Sequence, residues 1–263
     1  MNILDKIVSV KKQEVRTRKV AFPLATLENS EFFGRVMPSF RSALAKPGPS
    51  IIGEFKRKSP SRGDINPSAS LKDVAKGYQA AGISAMSVLT DEQFFGGSND
   101  DLSDVAGILA IPVLRKDFIV DEYQVTESKS RGASAILLIA SILSRNEVDK
   151  LSRLAGELGL DVLLEIHDMQ DLDKATERIS IIGVNNRDLK SFTVSMSNSE
   201  KLLDSIPGNC LRIAESGFRT PEDVSRLYSL GYDAFLIGET FMLSADPGKK
   251  AETFINETKA ITG

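Results

Sequence analysis

No tryptophan occurs in the 263 residues, and there is one cysteine and one histidine. A lone Cys210 excludes an internal disulfide framework and fits a reducing compartment. Its surroundings, Asn209-Cys210-Leu211-Arg212-Ile213-Ala214, read as the start of a buried strand with a structural thiol. A lone His167 excludes a multi-histidine zinc site, and any Ser-His-Asp triad would have to run through it. Its place after an apolar run reads more simply as a loop histidine. Neither sign of charge dominates: 33 basic against 36 acidic residues leave a net charge of -3. The chain therefore has no broad basic surface for nucleic acid or anionic lipid, and any anion must be bound locally. Long hydrophobic runs are also missing. The longest, Ala133 to Leu143, is interrupted by serine and is too short to span a bilayer. Met1 to Val8 alternates charged and apolar residues without the apolar core of a signal peptide, so a cytoplasmic protein is expected. Neither a G-x-G-x-x-G turn nor a Walker lysine motif appears.

Hydrophobic residues make up 41% and charged residues 26%, which suffices for a large core without a disordered signature. Eight short apolar runs recur: Ser50–Glu54, Ala85–Leu89, Ile111–Arg115, Ala135–Ile139, Asp161–Glu165, Ile181–Asn185, Leu211–Glu215 and Ala234–Gly238. Their nearly continuous apolar character is that of parallel strands buried on both faces. Between them, 121–131, 145–158 and 221–230 carry apolar residues at helical spacing and read as crossover helices. Gly82, Gly132, Gly159 and Gly231 stand where helix C-caps are needed, and Thr220-Pro221 reads as an N-cap followed by a first helical turn. Eight such units predict an α/β fold, a (β/α)8 TIM barrel, formed by 1–263 as one domain. Residues 1–45 exceed what the barrel needs and read as an N-terminal helical extension lying across one end.

In that fold the C-terminal ends of the strands share one mouth, and the ionisable residues gather there. Alternation sends Glu54 and Lys56 to one side and Phe55 to the other. The loop Lys56 to Gly63 has four basic residues, including Arg57, Lys58 and Arg62, with hydroxyls such as Ser59, and suits either solvent or an anion. Lys116 ends the third run; among apolar residues and cations its pKa would fall, unless it pairs with Asp117 or another acid. Glu165 closes a very apolar run, where desolvation would raise its pKa for acid/base work unless it pairs with a Lys or Arg. Asn185 and Arg187 point the same way and offer an amide and a guanidinium, while Asn186 can satisfy the turn. Ser216-Gly217 and Gly238-Glu239 follow the last two runs, where barrels often bind phosphate. Phe94, Phe95, Phe118 and Leu189 reach the rim either as loop anchors or as surfaces for an aromatic substrate. Glu215 ends the seventh run and is the weakest member, since it can simply support the strand end.

These segments together resemble indole-3-glycerol-phosphate synthase. The resemblance is carried by Glu54-Phe55-Lys56-Arg57-Lys58-Ser59-Pro60-Ser61, Ser87-Val88-Leu89-Thr90-Asp91, Leu114-Arg115-Lys116-Asp117-Phe118, Leu163-Leu164-Glu165-Ile166-His167, Ile182 to Leu189, Ala214-Glu215-Ser216-Gly217 and Ile237-Gly238-Glu239, in order along essentially the whole chain. It implies ring closure, with loss of carbon dioxide and water, of 1-(2-carboxyphenylamino)-1-deoxyribulose 5-phosphate to indole-3-glycerol phosphate in tryptophan biosynthesis. By similarity Lys116 is the general acid at the ribulosyl carbonyl, and Glu165 transfers a proton during dehydration with Glu54 and Asn185 assisting. Arg187 holds the anthranilate carboxylate, and Lys56 with Ser59, Ser216, Gly217, Gly238 and Glu239 serves the phosphate. Phe95, Phe118 and Leu189 then line the aromatic part. No metal or other cofactor is expected, and the partner is a phosphorylated small molecule met by a monomer. Aromatic packing from the N-terminal segment, lacking tryptophan, would fall to a residue such as Phe40. Two readings compete: a Schiff-base lyase with Lys116 or Lys56 as nucleophile, and a noncatalytic phosphometabolite-binding barrel.

Overall fold

The computed structural model describes residues 3–188 and 191–263. Its parallel strands are β1 (Ser50–Phe55), β2 (Ala85–Leu89), β3 (Val113–Lys116), β4 (Ala135–Ile139), β5 (Asp161–Ile166), β6 (Ile181–Asn185), β7 (Leu211–Glu215) and β8 (Ala234–Ile237). They pair in sequence order and close when β8 meets β1, with Ser50 beside Ala234 and Gly53 beside Ile237. The expected runs and the strands differ by no more than a residue or two at their ends. β3 begins only at Val113 because Pro112 has no N–H for the ladder, although its carbonyl still accepts from Met86.

The continuous apolar runs are explained by two cores. Ile51, Phe55, Met86, Val88, Ile136, Leu138, Val162 and Leu164 face the helices, whereas Ile52, Ala85, Leu114, Leu137, Leu163, Ile213 and Leu236 fill the barrel. Glu54 continues the inward series of Ile52, while Phe55 turns outward and is buried. Helices Glu122–Ser130, Arg145–Glu157 and Pro221–Leu230 stand where the pattern put them. Ser144 and Glu147 form a capping box on the second, and Thr220 N–H donates to Asp223 at the start of the third, with Pro221 in its first turn. The four cap glycines all have positive φ. Among the described residues, no helix is long and apolar enough to cross a membrane.

The N-terminal extension comprises α1 (Ile3–Ala21) and two shorter helices, Leu24–Glu28 and Phe40–Leu44. It reaches both ends of the barrel. Ile3, Leu4 and Ile7 stand at the mouth. Phe40 lies instead under the opposite end: Ser39 Oγ and Arg41 N donate to Asp161, the first residue of β5, and Phe40 is fully buried with Leu44 and Ile52. The aromatic contribution expected of Phe40 is thus to the barrel floor, and the extension meets the mouth with aliphatic side chains. α1 also packs on Glu122–Ser130, whose residues from Tyr123 onward are all buried. Tyr123 Oη donates to the carbonyls of Arg18 and Phe22, which fixes the end of α1 there.

Candidate active site

A cavity of about 460 Å³ opens at the C-terminal ends of the strands. Glu54, Lys56, Ser59, Phe95, Lys116, Phe118, Glu165, Asn185, Arg187, Ser216, Gly217, Gly238 and Glu239 all line it. Leu189 lies outside the described residues, and Phe94 does not line the cavity. Leu137, Ile139 and Leu236 form an apolar floor, and Phe95 and Phe118 stand together with ring centroids 5.9 Å apart. Sequence reasoning missed Ile3, Leu4 and Ile7, because nothing in an exposed-looking amphipathic helix says which face meets a mouth.

Lys116 Nζ is the hub. It lies 3.3 Å from Glu215 Oε2, 3.4 Å from Glu165 Oε2 and 4.0 Å from Glu54 Oε2, and Lys56 Nζ donates to Glu54 Oε1 at 2.6 Å. Two glycines make the room: a Cβ at Gly183 would collide with Glu215 Oε1, and one at Gly238 would lie 2.6 Å from Glu54 Oε1.

This crowd reverses three expectations. Burial works against the Lys116 ammonium, yet Glu215, Glu165 and Glu54 outweigh it and hold the pKa above the ordinary lysine value. The neighbours expected to be cations and apolar groups are carboxylates, and Asp117 is turned away to Lys11 and Arg115. Burial likewise pushes Glu165 up, but Lys116 and His167 bring it below the usual carboxylate range. Glu54 is lowered in the same way, chiefly by Lys56 and Lys116 against its burial. Glu215 is the raised carboxyl. Burial lifts it, Lys116 only partly offsets that, and Glu165 and Glu54 add repulsion, leaving it at about 8. The residue rated as a strand-end support is therefore the one poised to carry a proton near neutrality. A Lys116 kept as an ammonium by three acids is poorly suited to be a Schiff-base nucleophile, which needs the free amine.

The anion-holding groups are less separate than their positions along the chain imply. Of the four basic residues after β1, Arg57 is bound to Asp101, Lys58 to the Gln93 carbonyl and Arg62 to Glu239, leaving Lys56 as the cation facing the cavity. Arg187 Nη2 lies 3.7 Å from the same Glu239, so one carboxylate spans from the β6 loop to the β1 loop across the mouth. Ser216 takes a positive φ of 68° and Gly217 one of 95°, a bend that turns the chain sharply at the end of β7. Asn185 Oδ1 accepts from Arg187 N–H at 2.9 Å, which fixes the amide while its other face meets Glu165.

A closed barrel whose mouth combines an ammonium, several carboxyls and a guanidinium over an apolar floor defines a TIM-barrel enzyme that moves protons on an anionic, partly apolar substrate. Residues 4–254 match the family model for indole-3-glycerol phosphate synthase. The chain is 46% identical over 258 residues to the indole-3-glycerol phosphate synthase of Thermoanaerobacter pseudethanolicus, covering 98% of each chain. It is 42% identical to that of Bacteroides thetaiotaomicron, over 97% of this chain and 98% of the relative. The chain belongs to the indole-3-glycerol phosphate synthase family and is an enzyme. Among solved structures it resembles the tryptophan synthase α subunit of Legionella pneumophila, with a TM-score of 0.62 at 12% identity over 86% of this chain and 98% of that one. A second likeness is to KGPDC of Streptococcus mutans, TM-score 0.64 at 12% identity, covering 82% and 99%. At that identity the two structures speak for the barrel alone.

Proposed function

We propose that the mouth closes the indole ring of 1-(2-carboxyphenylamino)-1-deoxyribulose 5-phosphate, releasing carbon dioxide and water to give indole-3-glycerol phosphate. The single observation that carries the division of roles is the placement of one ammonium, Lys116, against three buried carboxyls above an apolar floor. The substrate has a carboxylate at one end, a phosphate at the other and an aromatic ring between. Arg187 takes the carboxylate through its guanidinium fork. Lys56, Ser59 and the turns at Ser216-Gly217 and Gly238-Glu239 take the phosphate. Phe95 and Phe118 border the ring.

With the substrate so held, the ring carbon bearing the carboxylate bonds to the ribulosyl carbonyl carbon while Lys116 gives its proton to the carbonyl oxygen. Loss of carbon dioxide returns the electron pair to the ring. Glu165, kept as a carboxylate, removes a proton in the dehydration, and the hydroxyl leaves as water after protonation by a neighbouring acid. Glu54 holds Lys56 and faces Lys116, and Asn185 orients Glu165. Because every group comes from one chain, the site needs no second copy, and we read the protein as a monomeric, one-domain cytoplasmic enzyme. Mixing purified protein with the substrate tests the reading directly. Indole fluorescence should appear with no tryptophan emission from the protein beneath it, since the chain has no tryptophan. Absence of any indole product would overturn it. Near-wild-type turnover in Glu165→Gln would sink that residue's role alone.

A further inference from the structure

One partly buried ionisable group stands behind the mouth and does not line it. His167 follows β5 with its ring enclosed between two carboxylates: Nε2 is 3.5 Å from Glu165 Oε1, and Nδ1 is 3.6 Å from Asp171 Oδ2. Both ring nitrogens are shut off from solvent and have no hydrogen bond of ordinary length. A neutral imidazole has one N–H and one lone pair, so in this slot it would always turn the lone pair toward a carboxylate. Only the imidazolium has a donor for each side.

The groups around it agree. From its own loop Asp171 accepts the His167 backbone N–H at 3.1 Å and pairs with Lys174 at 3.2 Å, so its charge is anchored independently of the ring. Lys174 also donates to the Ala140 carbonyl after β4. Glu215 on β7 adds a further negative field. From the β6 side, Arg187 and Asp188, with Lys201 of the helix Ser197–Leu202, border a polar cavity of about 260 Å³ that His167 also touches. Asn198 Nδ2 donates to both the His167 and Asn185 carbonyls, tying the loop to the end of β6. The result is a row of alternating sign: Lys174, Asp171, His167, Glu165, Lys116. Inside the mouth Glu54, Glu165 and Glu215 face two ammonium groups among the described residues, Lys56 and Lys116, and His167 supplies a third cation from behind.

We propose that His167 is a positioning residue for ring closure: its imidazolium, held by Asp171, keeps Glu165 a carboxylate directed at Lys116. This rests on Glu165 acting in proton transfer, as proposed above. Burial pushes the imidazole pKa down, but the nearby Asp171 and Glu165 carboxylates outweigh it and leave it above the ordinary histidine value. The same charge assists in lowering Glu165. As the ring loses its proton at alkaline pH, Glu165 loses one of its two cations and gains a lone pair pointed at it.

Because His167 is the only histidine, its imidazole NMR signals are free of overlap. In wild-type protein they should titrate with a midpoint above about 6.5, the unperturbed histidine value. Both Glu165→Gln and Asp171→Asn should lower that midpoint by about one pH unit, the usual scale of a single close charge. In steady-state kinetics His167→Gln should reduce kcat roughly tenfold, a positioning effect, with KM within about twofold. The acid limb of its kcat profile should move up by about one pH unit as Glu165 loses a cation. A wild-type midpoint at or below the ordinary value, a midpoint indifferent to Glu165→Gln, or a His167→Gln profile superimposable on wild type would each overturn the inference. An inactive Glu165→Gln with an unmoved imidazole would remove His167 from the scheme and leave Glu165 in it. An active Glu165→Gln would remove the role on which both depend.

Discussion

Replacing Lys116 by methionine keeps the length and bulk of the side chain and deletes the charge on which three carboxyls converge. Its effects on catalysis and on stability separate by pH. As general acid, Lys116 should be worth about 10²- to 10⁴-fold in kcat, or roughly 3–5 kcal/mol of barrier at 1.36 kcal/mol per decade. Removing one partner of a buried ion pair typically costs about 3–5 kcal/mol because the other charge is left behind. For a chain of this size that is roughly 6–20 °C in melting temperature, at about 2–4 °C per kcal/mol. The loss should not be uniform with pH. In the wild-type protein Glu54 and Glu165 sit below the usual carboxylate range, so they stabilise the fold above that range and the contribution fades on acidification. Without Lys116, Glu54 keeps Lys56, but Glu165 and Glu215 lose their nearest cation, and burial with mutual repulsion pushes their folded-state pKa values upward. Stability from such groups is complete at low pH and lost as pH rises through the folded pKa. The melting-temperature gap between Lys116→Met and wild type should therefore be small near pH 5 and widen toward pH 8. Thermal unfolding by circular dichroism across that range, with kcat on the same samples, measures both effects. A gap that stays constant or narrows with rising pH would refute the charge reasoning, and unchanged kcat would refute the acid.

Glu215→Gln should gain stability relative to wild type as pH rises from about 4.5 to about 8. The wild-type carboxyl has a folded pKa of about 8, so its contribution is lost across that interval, and the amide has nothing to lose. Melting curves at the two ends of the interval check the sign. Arg187→Ala should raise KM by about 10- to 100-fold with a smaller change in kcat, the scale of about 1.5–3 kcal/mol for a lost hydrogen bond to a charged group. Initial rates against substrate concentration measure it, and Glu239 keeps Arg62 as a partner in the variant. Gly183→Ala places a methyl against Glu215 Oε1 and 3.0 Å from Leu163 Cδ1. It should cost about 1–3 kcal/mol through overpacking and lower kcat by up to about 10²-fold by displacing the carboxyl; thermal melts and initial rates give the two numbers.

The barrel was legible because strands buried on both faces cannot hide: eight apolar runs with glycine-capped helices between them admit few arrangements. The inventory of the mouth was legible for the same reason, since alternation along β1 and β6 fixes which way Glu54, Lys56, Asn185 and Arg187 point. What the sequence withheld was the sum of the charges. Desolvation alone argues that Lys116 should fall and Glu165 rise, and each argument is sound for an isolated residue. The outcome is set by which groups lie within about 4 Å, where one opposite charge can outweigh burial. Three acids around two lysines, Lys116 and Lys56, leave one acid in excess, and Glu215, facing only Lys116 among the described cations, bears the result. Gly183 carried the missing signal. A glycine inside an apolar strand marks a close approach, here the carboxyl of the next strand.

A second cluster of buried charge explains how α1 is seated. Its apolar residues Ile3, Leu4 and Ile7 would pack over the mouth in more than one register, since aliphatic contact is not directional. Lys11 removes that freedom. One turn beyond Ile7 and fully buried, it reaches Asp91 and Asp117, each at 2.9 Å. Asp117 is the residue after Lys116 and also takes Arg115 and Thr90, while Asp91 caps the turn Glu92–Phe95 by accepting from Phe94 N–H. Desolvation offsets much of the attraction in such a cluster, so its effect lies less in net stability than in fixing one geometry. A single lysine thereby ties the extension to the strand that carries the hub ammonium and to the turn that carries Phe95. The apolar cover, the hub ammonium and the aromatic wall of the cavity are held in register by charges shut off from solvent.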